Sequence, residues 1–156
     1  MQWTSILGGK MKRTIKLFIL AVFLSALSSV VAAANPTGDK VKTGDAAVLS
    51  AQNWLRIVDS GKYGESWNKA DEYLKQAVSK KDFEKSLQGV RRPLGRVVKR
   101  SLASTNYTTA LPGAPDGEYV VIQFKTEFEN KRESIETVTP KKDRDGEWRV
   151  SGYYIK

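Results

Sequence analysis

The chain contains neither cysteine nor histidine among its 156 residues. Without cysteine there can be no disulfide bond, no lipid-modified N-terminal cysteine and no thiolate metal site. Without histidine the chain lacks the commonest metal ligand and the side chain best suited to proton transfer near neutral pH. The two absences exclude serine–histidine and cysteine–histidine catalysis, zincin chemistry and histidine–aspartate dehydratase dyads. We therefore expect no metal ion and no cofactor.

Long apolar runs are also scarce, and the longest lies near the N-terminus. Met11–Lys16 is basic, Leu17–Leu24 is apolar, and Ala32–Ala34 supplies the small-x-small pattern that signal peptidases recognise. The apolar run falls short of the roughly 20 residues that a membrane-spanning helix needs. We expect a secretory signal cleaved after Ala34 and a periplasmic, or alternatively extracellular, product without a transmembrane span. The alternative is an uncleaved N-terminal anchor.

The first ten residues have a separate interpretation. Gly8–Met11 must be encoded by a purine-rich run beside an ATG codon, which can form a ribosome-binding site. We hypothesise that Met11 is the true start and that residues 1–10 are a mis-called start, which a codon other than GGA at Gly8 would exclude. The predicted organisation is a signal region at 1–34, a flexible leader at 35–43 and a single domain at 44–156.

Helical periodicity dominates the first half of that domain. Apolar residues from Ala47 to Val58 recur at helical spacing, and a second stripe runs from Tyr63 to Val78. Ser79–Asp82 has the form of a capping box that opens a third helix, and Pro93 disfavours helix at the residue before it. Three helices are therefore predicted.

Beyond Gly95 the period changes to alternation, which is typical of strands. Strands are predicted at 96–109, 119–128, 132–139 and from Trp148 onward, with Trp148, Val150, Gly152 and Tyr154 on the inner face of the last. Helices followed by a four-stranded antiparallel meander predict an α+β fold, in which three helices pack on one face of a curved sheet.

Several ordered motifs resemble those of a bacterial family known as domain of unknown function 4019. They are the W-L-x-x-V-D-x-G-x-Y-x-x-S-W run over Trp54–Trp67, then Arg91–Gly95, Tyr107–Tyr119, Glu136–Val138 and Trp148–Tyr153. The similarity spans about Ala46–Ile155. The resemblance implies a single exported domain with a cystatin-like or nuclear-transport-factor-two-like half-cone fold. It implies no activity.

Asp59 is the acid whose position most needs an explanation. It lies at the C-terminal end of the first predicted helix, where a negative charge is unfavourable against the helix dipole. One interpretation is a salt bridge to Arg91 or Arg92. The other is a pocket acid that works with Tyr63, so Asp59 and Tyr63 are the candidate catalytic pair.

The strongest charge feature is a basic segment between residues 80 and 100. Its candidate anion-binding residues are Lys80, Lys81, Arg91, Arg92, Lys99 and Arg100. Such a segment suits an anionic envelope surface or an acidic partner, and the alternative is an ordinary solvated face and strand edge. Export and the lack of a recognition motif argue against nucleic acid.

Three functions remain open. The first is a non-enzymatic binding or interaction domain, with an unknown small ligand or envelope protein in the half-cone pocket or on the sheet face. Its candidate lining residues are Tyr63, Trp67, Tyr119, Phe124 and Tyr153. The second is an isomerase or cyclase-like enzyme with an aspartate base, by analogy with similar folds. The third is a structural envelope component that forms a homodimer through the open sheet face.

The export hypothesis makes a direct prediction about the mature chain. Because Ala32–Ala34 is the expected cleavage site, protein recovered from the periplasmic fraction should begin at Asn35. Intact-mass measurement checks this. A product that retains residues 11–34 in the membrane fraction would contradict both the cleavage site and the localisation.

Overall fold

The computed structural model describes residues 39–156, with side chains from residue 44 onward. The signal region and the first part of the leader lie outside the described residues. The helices are α1 (Asp39–Asp59), α2 (Tyr63–Asn68), α3 (Glu72–Ala77) and α4 (Lys80–Leu94). The strands are β1 (Val97–Thr108), β2 (Tyr119–Phe128), β3 (Lys131–Lys142) and β4 (Trp148–Ile155). The predicted α+β class with an antiparallel four-stranded sheet is confirmed.

The first helix starts earlier than the sequence predicts. It begins at Asp39, so residues 39–43, assigned to a flexible leader, are helical. The helix-breaking residues of the leader, Pro36 and Gly38, both precede this start. At the other end, Gly61 adopts a φ of 73°, which glycine tolerates without a steric cost, and the chain turns there into α2. No helix within residues 39–156 has the length and apolar character to span a membrane.

The predicted second helix is two short helices. Asp71 separates them because its side chain accepts the backbone N–H of Tyr73 at 2.8 Å and so caps α3. The backbone N–H of Asp71 donates to the carbonyl of Val150 at 2.9 Å, which attaches this break to strand β4. Periodicity alone did not reveal this interruption, since the apolar stripe continues on both sides of it.

The third predicted helix, α4, has the expected start and a slightly later end. The hydroxyl of Ser79 accepts the N–H of Asp82 at 3.2 Å, as the capping pattern predicted. The helix continues through Pro93 to Leu94 and stops at Gly95, whose φ is 76°. This extension keeps Arg91 inside the helix.

The sheet has the order β1-β2-β3-β4, and one irregularity changes a predicted face. Thr139 pairs with Gly152, whereas Pro140 pairs with Val150, so Ser151 is an extra residue in β4. A bulge of this kind moves the following side chains to the opposite face. As a result Tyr153, rather than the predicted Tyr154, faces the core. Strand β3 also runs past Pro140, where the sequence predicted its end.

The helices pack on one face of the sheet, here called the inner face, and the interior between them is filled with apolar side chains. On β2 the alternate residues from Val120 to Phe128 are all buried, as the alternation predicted. Trp54 of α1 lies at their centre, stacked edge-on against Phe83 and Tyr153. The core joins α1, α4 and the inner face of the sheet into one cluster.

Candidate functional site

A cluster of charged and hydroxyl side chains lies next to this core and is here called the Glu136 network. Its members are Asp59, Arg91, Arg100, Thr126, Glu136 and Tyr153. They come from α1, α4 and all four strands, so the whole tertiary fold is needed to bring them together.

Glu136 is the centre of the network and is completely buried. Its Oε1 accepts hydrogen bonds from Tyr153 Oη at 2.5 Å and Arg91 Nη1 at 3.1 Å. Its Oε2 accepts from Arg100 Nε and Thr126 Oγ1, both at 2.6 Å. Four donors therefore surround one carboxylate. A buried carboxylate is tolerated only when it is paired and hydrogen-bonded in this way.

Arg91 approaches from α4 and is almost as deeply buried as Glu136. Its guanidinium carbon lies 4.8 Å from the ring centroid of Phe128, a cation–π distance. Besides Glu136, its donors reach Asp59 Oδ1 at 2.7 Å and Tyr153 Oη at 3.1 Å. The guanidinium is thus enclosed between an aromatic ring and two carboxylates.

Asp59 completes the network at its outer end. Arg100 donates to Asp59 Oδ2 at 2.6 Å and to Oδ1 at 3.0 Å, in addition to the bond from Arg91. The prediction that Asp59 pairs with Arg91 or Arg92 is confirmed for Arg91. These two guanidinium partners offset the unfavourable position of a carboxylate at the end of α1. Each arginine bridges both acids, and the four formal charges sum to zero.

Burial and neighbouring charges shift the pKa values of the two arginines in opposite directions. Burial tends to lower the pKa of Arg91, but interactions with Tyr153, Asp59 and Glu136 outweigh it and raise the pKa above the ordinary value. For Arg100, burial likewise tends to lower the pKa, and hydrogen bonds to Asp59 and Glu136 reverse the direction. Burial raises the pKa of Tyr153 well above its ordinary value, and the neighbouring charge of Glu136 adds to the rise. Both guanidinium groups and the neutral phenol are therefore stabilised.

The Glu136 network is closed, in the sense that arginine donors already occupy its carboxylate oxygens. Both oxygens of Asp59 and both oxygens of Glu136 already accept hydrogen bonds from arginine. Tyr63 packs against the core, and no hydrogen bond joins it to Asp59 in the described part of the chain. The structure therefore brings Asp59 to the two arginines and not to Tyr63. A carboxylate in this position is suited to holding helices against a sheet.

Four of the five predicted ligand-lining residues belong to the core or pack against it, and Tyr119 is buried outside that cluster. Tyr119 and Phe124 are fully buried, while Tyr63, Trp67 and Tyr153 are partly buried against the core. The phenol of Tyr119 donates to the carbonyl of Pro115 at 2.6 Å, and the indole of Trp67 donates to that of Val78 at 3.0 Å. None of the five lines either surface depression described below. A ligand role for them stays a prediction.

The predicted basic segment is divided by the fold. Arg91 and Arg100 turn inward to the Glu136 network, whereas Lys80, Lys81, Arg92 and Lys99 are exposed. Lys80 and Lys81 begin α4 and Arg92 lies near its other end, about 17 Å away at 1.5 Å per residue. The segment is therefore not one continuous cationic face, and anion binding by its exposed members stays a prediction.

Sequence reasoning missed Glu136 as a functional candidate. The available signal was its position on β3: Ser134, Glu136 and Val138 alternate onto the buried face, so a glutamate occurs where an apolar residue is expected. An ionisable residue at an inward strand position requires a buried partner of opposite charge.

An open groove of about 1000 Å³ lies between α1 and the β3–β4 hairpin and is here called the α1–hairpin groove. Leu49, Asn53 and Ile57 form one wall at helical spacing, and the indoles of Trp54 and Trp148 border its floor. Ser50 Oγ donates to the carbonyl of Trp148 at 2.5 Å and joins helix to strand there. Leu49 is 56 % exposed.

Within residues 39–156, no group of three or more acidic side chains is arranged to hold a metal ion. The acids nearest a metal-binding pattern, Asp143 and Asp145, instead accept hydrogen bonds from Arg149 at 3.0 and 2.6 Å. These contacts fix the tip of the β3–β4 hairpin beside the α1–hairpin groove.

The comparisons with known proteins identify the family. The model of the family described as "Protein of unknown function (DUF4019)" matches residues 50–153, and the chain belongs to this family. The resemblance drawn from the motifs between Trp54 and Tyr153 is thus confirmed. No curated protein and no solved structure matches the chain. The matched range includes every member of the Glu136 network and most of the α1–hairpin groove.

The burial of Glu136 yields a stability prediction. Glu136→Gln removes the charge that compensates Arg91 and Arg100, and breaking a buried pair on one side typically costs about 3–5 kcal/mol. Urea denaturation should show a loss of that size. Glu133→Gln, on the same strand but exposed, is the matched control and should change the free energy of unfolding by under about 0.5 kcal/mol. Equal losses in the two variants would contradict a central role for Glu136.

Tyr153 yields a prediction for alkaline pH. An unfolded tyrosine loses its proton near pH 10, whereas Tyr153 in the folded state keeps it to higher pH. The folded state then binds more protons, so the free energy of unfolding falls as pH rises above about 10, by up to about 1.4 kcal/mol per pH unit. In Tyr153→Phe this decline should be shallower, as measured by denaturation across that range. An unchanged slope would show that Tyr153 titrates normally.

Proposed function

We propose that this chain is an exported, non-enzymatic binding or interaction domain that acts in the periplasm, or alternatively outside the cell. The basic, apolar and small-residue order of Met11–Ala34 supports export. A filled interior and a closed Glu136 network support a binding role at the surface instead of chemistry inside the fold.

The observation that carries the proposal is the α1–hairpin groove. Apolar surface at Leu49 and Ile57 lies beside polar groups of Asn53 and Lys69, the mixture found in protein-interaction surfaces. Its walls are rigid, because α1 is fixed by the core and the hairpin by the ion pairs of Arg149. A preformed surface loses little conformational entropy on binding. We assign an envelope protein or small ligand to this groove.

The enzymatic alternative requires an open acid in an apolar pocket. Asp59, the candidate base, has its oxygens engaged by two arginines, and Tyr63 does not approach it. This geometry favours a structural use of Asp59 over proton abstraction.

The structural-component alternative is favoured by one observation, the uncovered face of the sheet. Gln123 and Lys125 of β2 are exposed on the side turned away from the helices. A second copy could pair there and form the predicted homodimer through the sheet face.

Site-specific photo-crosslinking in cells that express the full chain distinguishes these alternatives. A photoreactive residue at Leu49 should form an adduct with another molecule, whereas one at Val90, which is 40 % exposed on α4, should not. A third probe at Gln123 reports on the sheet face. A homodimer adduct at Gln123 with none at Leu49 would favour the structural alternative. Equal labelling at Leu49 and Val90, or no adduct at Leu49, would contradict the groove as the binding surface.

A further inference from the structure

The face of the sheet turned away from the helices, the outer face, has a second depression, of about 760 Å³. Its charged lining residues are Lys99, Lys125, Glu127, Arg132, Glu133 and Lys156, and we call it the outer-face hollow. The four cations come from four different places in the sheet. Lys99 is in β1, Lys125 in β2 and Arg132 in β3, and Lys156 immediately follows β4.

The register explains why these side chains meet. Ser101 pairs with Lys125, Lys125 pairs with Ile135, and the backbones of Ile135 and Lys156 exchange two hydrogen bonds of 3.0 and 2.9 Å. These four residues thus form one row across the sheet. Adjacent strands are about 4.8 Å apart, so the two lysines flank Ile135 at a separation of roughly 10 Å.

In the register, Lys99 of β1 is the partner of Glu127 of β2, so one cation of the hollow has an acid beside it. Among the described residues, none of the six charged side chains is within salt-bridge distance of an opposite charge, whereas Arg91, Arg100, Arg96 and Arg149 all are. Four basic and two acidic side chains line the hollow, so the sum of its side-chain charges is positive. Half-buried Ile135 lines the hollow between the two lysines of the row.

We propose that the outer-face hollow binds a phosphate group, with Lys125 and Lys156 on either side of it above Ile135 and with Lys99 of β1 and Arg132 of β3 adding positive charge. Lysine binds phosphate as a mobile point charge and arginine binds it through paired N–H donors, so this set suits a phosphate better than a neutral ligand. The group could belong to free phosphate or to an anionic lipid headgroup. This site is separate from the α1–hairpin groove and does not depend on it.

Two measurements on the mature chain test the site. Titration with inorganic phosphate, followed by amide NMR shifts, should perturb Lys99, Lys125 and Arg132 and leave Lys80 and Lys81 unchanged. Co-sedimentation with phosphatidylglycerol vesicles, compared with phosphatidylcholine vesicles at low and moderate salt, tests the lipid source. Salt should weaken retention, because exposed charges are screened beyond about 8 Å near physiological ionic strength. Response to vesicles alone assigns a lipid headgroup, and response in both measurements assigns phosphate in either form.

The decisive comparison is between two double variants with the same change in net charge. Lys125→Glu with Lys156→Glu should weaken phosphate or vesicle binding at least ten-fold, whereas Lys80→Glu with Lys81→Glu should leave it unchanged. All four lysines are exposed, so both variants should keep the wild-type unfolding midpoint, and the corresponding Lys→Gln pairs serve if one does not. Equal weakening in both pairs would mean that only net charge matters and would overturn the site. So would the absence of any response, or a dimer by light scattering that the Lys125 and Lys156 changes dissociate.

Discussion

The contact on which most of the structure depends is the one between the carboxylate of Glu136 and its four donors. Arg91 attaches α4 to this point, Arg100 attaches β1, and Tyr153 attaches β4. Asp59 then ties the end of α1 to the same two arginines. Because an uncompensated charge in the interior is costly, the network is stable only when all these elements are in place. It therefore links the helical half of the chain to the sheet.

This arrangement also explains why both proposed binding sites lie on the surface of the domain. The network engages Asp59, the candidate base, and the aromatic residues around Trp54 fill the remaining interior. The two surfaces proposed for recognition are the α1–hairpin groove and the outer-face hollow. The two differ in chemistry, since the groove presents Leu49 and Ile57 and the hollow presents mainly cations.

Much of the fold could be predicted because it follows from local periodicity. Alternation placed Thr126 and Phe128 on the buried face of β2, and the capping pattern placed the start of α4 at Ser79. The predictions were wrong where a contact between residues distant in sequence, or a single extra residue in a strand, overrides the local periodicity. The bulge at Ser151 moves Tyr153 inward, and Asp71 interrupts a helical stripe through its bond to Val150. Neither effect has a signal in the spacing of apolar residues.

The candidate sites show the same division. The sequence by itself determined what chemistry is excluded, because residues that are absent cannot be supplied by folding, and it indicated that Asp59 needs a cationic partner near the end of its helix. Only the tertiary structure decided that Arg91 and Arg100 are the cations that pair with Asp59, so that their side chains turn inward, away from the exposed part of the basic segment. It also decided that Lys125 and Lys156 line the same hollow on the sheet. Charge pairing depends on distances in space, and residues 30 or more positions apart acquire those distances only when strand register and helix packing are set.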